Sequence, residues 1–387
     1  MVRYLGIVFL LPLLILTFSP AWGTDDSTLW NDALTKIDSG DLAQAAAALN
    51  QLLTEFPNSP KAPGAQLKLA YLKVKTTPTS TQDLLNAFSL VRTKYGSSPE
   101  AGEALARIGY LHSKNKQTTQ AIEEFSTFVR DHPAHPLAAE AQRTLGNLYL
   151  RNLDLDKAEA AFDAVGSIPG AEPALVEKAS MQSGFVKIMR YYATKDKAHL
   201  TNAITALSAL DSAANADVRA QAKLGICEAT LLLHNPWEAH DKYKAAVPLC
   251  SSPYLHGIAM YGVAISSQET GEMLQAVSEY DAFLESLKGK TLAEKDQGWR
   301  QTALSIQSTS FKALAEHDRD WTLVPGADLV YQSVFNKGRC LYLVRHYDDA
   351  IAALNQLLPC LASQNSLWDE TVKMIERCKN AKEVRKP

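Results

Sequence analysis

The sequence is short of aromatic residues, of excess charge and of long apolar runs, and each shortage narrows what the chain can be. Aromatics are 8% of it against 46% hydrophobic residues in all, a mixture rich in alanine and leucine that favours packed helices over sheet. Charged residues make up 21%, yet the net charge is only -3, and nothing in that balance suggests a nucleic-acid binder, which needs a clustered basic face to displace counterions. Beyond Phe18 no apolar run is long enough to cross a bilayer. Cysteine is missing from the first half, the five residues being Cys227, Cys250, Cys340, Cys360 and Cys378. Their spacings lack the close pairs of a zinc site. In an exported chain they could form disulfides, though an odd number leaves one thiol over or paired between chains; the other reading is small apolar residues buried on helix faces. HExxH, GxSxG, GxGxxG and a phosphate-cradling glycine loop are all absent, and no convergent nucleophile, base and orienting group can be named. The expectation is therefore no enzyme, no cofactor, no metal and no small-molecule substrate.

At 387 residues the chain exceeds one ordinary compact core, so two domains or an elongated array are expected. Its start differs from the rest. Arg3 is followed by the apolar run Tyr4 to Phe18, then Pro20, then small residues at Ala21 and Gly23 ahead of the polar Thr24-Asp25-Asp26. These are the parts of a secretory signal peptide over residues 1–23, with cleavage after Gly23. The competing reading, an uncleaved anchor, asks about 20 apolar residues of a shorter run. No cysteine follows the run to carry an N-terminal lipid.

An internal period organises the remainder of the chain. From Gly102 to Pro133 stand Leu105, Ile108, Gly109, Ala121, Phe125 and Pro133, and from Ala139 stand Leu145, Gly146, Tyr149, Ala158 and Phe162. These are the offsets of the tetratricopeptide pattern of about 34 residues, with glycine at its eighth place, alanine at its twentieth and an aromatic at its twenty-fourth. Small residues at Gly109, Ala121, Gly146 and Ala158 let two helices cross closely, and Phe125 and Phe162 are expected to fill space toward the next unit. Pro57, Pro133 and Pro169 each follow an apolar helical run that a proline cannot continue. Further units are read from about Asp26 to Pro57, Lys61 to Pro99 (with the loop Thr76 to Thr81), Glu172 to Ala213, around Leu224-Gly225 with Ala239 and Tyr243, around Val263-Ala264 with Ala276, Tyr280 and Phe283, and around Gly338 with Ala350 and Leu354. A charged helix from about Leu367 to Glu383 suits the polar cap of a solenoid. Between Ala293 and Asp328, with Trp299, Phe311 and the loop Trp321 to Gly326, the spacing fails; this stretch is a non-standard hairpin, a break between two superhelical halves, or a decayed repeat.

The expected fold is all-α: an α-solenoid of about seven to eight tetratricopeptide-like hairpins in a right-handed superhelix. Its expected parts are N-terminal repeats over residues 24–170, degenerate repeats over 171–290, the non-standard hairpin over 291–329, and the last repeat with its capping helix over 330–387. The junctions Phe56-Pro57-Asn58-Ser59-Pro60, Tyr95-Gly96-Ser97-Ser98-Pro99 and His132-Pro133-Ala134-His135-Pro136 each lead into an alanine-rich first helix. In these the chain resembles the envelope tetratricopeptide proteins of Gram-negative bacteria, the group of the outer-membrane assembly lipoprotein and the periplasmic Tol-Pal coordinator. The resemblance covers Asp26 to Gly170 best, and the chain departs from it in having neither a lipidated cysteine nor a coiled coil. It implies a periplasmic scaffold, soluble or peripheral at the outer membrane.

Two histidine pairs, His132 with His135 and His234 with His240, are read as solvated loop residues rather than metal ligands. A sharper candidate lies on the first helices of three successive units. Arg143 and Asn147 are four apart and share a helix face, Arg151 extends the row, Gln182 takes a comparable place in the next unit, and Arg219 and Lys223 repeat the spacing in the one after. The set is similar to the carboxylate clamp by which some tetratricopeptide domains hold a partner's C-terminus, guanidinium and carboxamide donors suiting a carboxylate. The expected function is thus a protein-interaction adaptor of the cell envelope, binding a protein or peptide partner in the groove; the alternative is a permanent structural subunit of an envelope or secretion complex.

Overall fold

The computed structural model describes residues 25–76, 80–306, 328–362 and 365–384. The signal peptide read at residues 1–23 and the loop Trp321 to Gly326 lie outside them. Among the described residues all regular structure is helical, with eighteen α-helices and no strand, and consecutive helices pack as hairpins. Eight such pairs follow one another: α1 (Asp26–Asp38) with α2 (Leu42–Glu55), α3 (Ala62–Thr76) with α4 (Thr81–Lys94), α5 (Pro99–Lys114) with α6 (Thr118–Asp131), α7 (Ala138–Arg151) with α8 (Leu155–Asp163), α9 (Pro173–Thr194) with α10 (Ala198–Ser208), α11 (Ala216–Leu232) with α12 (Pro236–Ala246), α13 (Pro253–Thr270) with α14 (Met273–Ser286), and α16 (Leu329–Leu343) with α17 (Tyr347–Asn355). Helix α15 (Leu292–Ile306) precedes the last hairpin, and α18 (Ser366–Glu383) is the last helix among the described residues.

Local chemistry sets the helix starts. Asp25, Asp41 and Asp154 each accept a hydrogen bond from the amide three residues on, at 2.6, 3.1 and 3.3 Å, which satisfies a donor the helix cannot. Within seven of the hairpins the turn contains one residue with a left-handed backbone. These are Gly40, Lys116, Leu153, Lys195, His234, Gly271 and Arg345, with φ between 57° and 91°.

The chain divides into two compact units inside α5, at Ala104 and Leu105. In the first, Leu29, Ala33, Ala45, Leu49 and Leu52 of the opening hairpin bury against Ala62 and Ala65 of α3. Ser59 in the junction donates to Asp26 at 2.5 Å, and Lys61 reaches the same carboxylate at 3.4 Å.

In the second unit the glycines mark where helices cross. A Cβ on Gly109 would stand 3.2 Å from the Phe125 ring, one on Gly146 2.5 Å from Phe162, and one on Gly338 2.6 Å from Leu354. The aromatic of each pattern thus covers the glycine of its own hairpin, where the sequence suggested that it fills space toward the next unit. Phe125 and Phe162 do both, since Phe125 shares a core with Ala138 and Ala141 of α7, and Phe162 with Ala179 and Val186 of α9.

Of the stretch with failed spacing, the part up to Ile306 is described, as α15, and it packs beside the stack. Helix α14 packs directly on α16, and Lys337 of α16 pairs with Asp281 of α14 at 2.5 Å. Helix α15 lies against α13 and α16, where its Trp299 stacks on Tyr254 (5.5 Å between centroids), meets Phe283 edge-on (5.6 Å) and covers Gly257. The hairpins therefore continue past α15 without a break.

Candidate functional site

First helices contact first helices along the second unit, α7 with α9, α9 with α11, α11 with α13 and α13 with α16, so their outward stripes form one shared face. On that face α7 and α9 join three of the six expected residues. Gln182 donates to the Asn147 carboxamide oxygen at 2.8 Å, and Arg143 reaches the Gln182 oxygen at 3.4 Å while its other nitrogens hold Glu140 at 2.7 and 3.2 Å. Asn147 is buried. This cluster is satisfied internally.

The expected residues of α11 are held elsewhere. Arg219 donates to the carbonyls of Ala213 and Ala214, the latter at 3.1 Å, and Lys223 pairs with Asp211 at 2.8 Å, so both brace the loop before their own helix. Arg151 differs from all of them. It is half-buried at the end of α7, has no hydrogen bond or ion pair among the described residues, and burial pushes its guanidinium below the ordinary arginine value. A cation kept partly dry without a counter-charge is the natural receptor for an anion from outside.

A second group was missed in the sequence. Tyr192 of α9 donates to Glu228 of α11 at 2.9 Å. Burial raises the Glu228 carboxyl above the ordinary glutamate value, and the Tyr192 hydrogen bond only partly opposes it. Tyr243 is buried nearby, its phenol pushed up by burial and then by the Glu228 charge. A signal was available: in the apolar run from Leu224 to Leu233, Glu228 is the one charged residue.

The histidines depart from the expectation of solvated loops. His132 and His135 are half-buried on Phe128, His132 stacked at 5.8 Å and His135 edge-on at 5.3 Å, because the inter-repeat turn folds back over that ring. His135 also accepts the Leu137 amide at 3.1 Å. His240 is largely covered and meets Glu279 at 3.4 Å across α12 and α14, whereas His234 is exposed at its turn. No group of metal-ligating side chains occurs among the described residues. All five cysteines are free, four of them buried, and burial raises the thiols of Cys227 to about 12 and of Cys250 and Cys340 to about 11.

Two stretches match tetratricopeptide repeat families, residues 95–172 and residues 30–59. Among solved structures, a tetratricopeptide repeat protein from Parabacteroides merdae is similar at 14% identity over 72% of this chain and 99% of its own, with a TM-score of 0.40. The C-terminal part of a repeat-containing protein from Cytophaga hutchinsonii is similar at 12% identity over 76% and 98%, with a TM-score of 0.44. The apo quorum sensor NprR from B. thuringiensis is similar at 11% identity over 86% and 97%, with a TM-score of 0.43. No curated protein matches the sequence.

Proposed function

We propose that this chain, a tetratricopeptide repeat protein, is an interaction scaffold that receives a segment of a partner protein on the face shared by its first helices. Repeats of this kind typically serve as non-catalytic scaffolds, and binding spread along a row of stacked helices is what the architecture supplies. The observation that carries the reading is Arg151, a half-buried guanidinium without a partner among the described residues, on the same helix face as Asn147. A terminal or side-chain carboxylate is the chemistry that completes it. An envelope partner is part of the proposal, supported by Arg3, the Tyr4 to Phe18 run and Gly23 as the parts of a signal peptide; an N-terminus at Thr24 on protein recovered from the periplasm would bear it out, and a retained Met1 in the cytoplasm would sink it.

The binding test compares peptides with free and amidated C-termini on the purified chain. Free-acid peptides should bind about tenfold tighter, a difference of about 1.4 kcal/mol, and Arg151→Ala should erase the preference. Equal retention of both forms would remove Arg151 from the site.

A further inference from the structure

We infer that Glu228 is a receptor for a lysine or arginine side chain of the partner, so that the face reads a base as well as an acid. The inference rests on the groove reading and adds a second anchor of opposite sign.

Glu228 is half-buried on α11 and faces α9, where Tyr192 holds its Oε1 at 2.9 Å. Among the described residues it has no cationic partner, and no lysine or arginine acts on its acidity. The cation next to Tyr192 is Lys195, and its ammonium lies over the Tyr191 and Tyr192 rings at 5.6 and 5.5 Å. Two other buried or partly buried carboxylates of this unit are neutralised: Glu159 meets Lys187 at 3.1 Å and Arg190 at 2.6 Å, and Asp296 meets Arg300 at 2.7 Å. An ion held partly out of water without a counter-charge costs stability, and such a group is a functional candidate when it lies on a presented surface. Both α9 and α11 are first helices, so this one does.

The occupant follows from the charge. Tyr192 is 48% exposed with its hydroxyl fixed by Glu228, so the carboxylate stands beside a surface residue, within reach of an incoming cation. Ammonium and guanidinium groups would both donate to the free carboxylate oxygen and neutralise it. Arg151 on α7 and Glu228 on α11 are two helices apart. With neighbouring helix axes about 8–10 Å apart, that is roughly 20 Å. An extended chain covers this in about six residues. The partner segment therefore carries an acid and a base about six residues apart, in an order that fixes its direction.

A phage-displayed library of random dodecapeptides, selected in parallel on the full wild-type chain and on Glu228→Gln, tests this. Glutamine keeps an oxygen for Tyr192 and removes only the charge. Wild-type selections should be enriched in lysine or arginine at one position and the variant's should not. For a selected peptide, changing that base to alanine should weaken binding at least tenfold on the wild type and have little further effect on the variant. Because the substitution in the peptide leaves the protein intact, the cycle does not depend on how the variant folds. Peptides retained without a basic preference, or with one that persists on Glu228→Gln, would overturn the inference alone. A wild-type chain that retains no peptide would overturn the groove reading with it.

Discussion

At the turns inside seven of the described hairpins one residue sits in the left-handed region, and in five of the seven it is not glycine. A side chain there costs roughly 1–2 kcal/mol, because Cβ crowds the following carbonyl. Leu153 is the clearest case, since it is 69% exposed and has little burial to lose. Leu153→Gly should raise stability by about 1 kcal/mol, read as a higher denaturant midpoint with an unchanged slope. Gly146→Ala should do the reverse. Its helix-propensity gain of about 1 kcal/mol is outweighed by a Cβ only 2.5 Å from Phe162, and a net loss of about 1–2 kcal/mol is expected in the same measurement. Glu228 gives a pH signature. Its folded-state value is raised, so the stability it contributes is present below its unfolded value near pH 4.3 and is lost as pH rises through the raised one. Glu228→Gln should therefore melt no lower than wild type at neutral pH, and the gap between them should close in acid. The groups acting on it, Tyr192 and Tyr243, stay protonated over that range and do not confuse the reading.

Helices were legible in the sequence where a small residue had to meet a large one. Gly109 with Phe125 and Gly146 with Phe162 repeat at one spacing because each pair is a single close crossing, and two helix surfaces can approach that closely only if one side lacks bulk. Gly184 is a crossing of the same type, with Leu207 in place of the aromatic, 2.5 Å from a Cβ, so the fifth hairpin looked degenerate although its geometry is regular. The site was less legible. Arg143, Asn147 and Gln182 were found because they share helix faces, but spacing on one helix cannot show that Arg219 and Lys223 turn to the loop carbonyls and to Asp211. Trp299 could be seen as out of pattern, but not as the plug over Gly257 and Phe283. Fully buried, it should cost about 3–5 kcal/mol on truncation, so Trp299→Ala is expected to lower the thermal midpoint and loosen α15 first in hydrogen exchange.

Across the whole molecule the five thiols report how it opens. Cys360 is half-buried, while Cys227, Cys250, Cys340 and Cys378 sit in the core, where burial keeps the thiolate scarce. A thiol reagent near pH 8 should label Cys360 first and reach the others only through opening of their helices, in an order read by peptide mass. Simultaneous labelling of all five would mean that the stretch from α11 to α18 opens as one. The placement of α15 also governs how such a chain can loosen. Because α14 already touches α16, helix α15 is a passenger: the hairpins on either side meet without it. What ties this helix down is the socket around Trp299, joined by Arg300 over the Tyr331 ring at 5.8 Å, so loosening it would leave the face that holds Arg151 and Glu228 untouched.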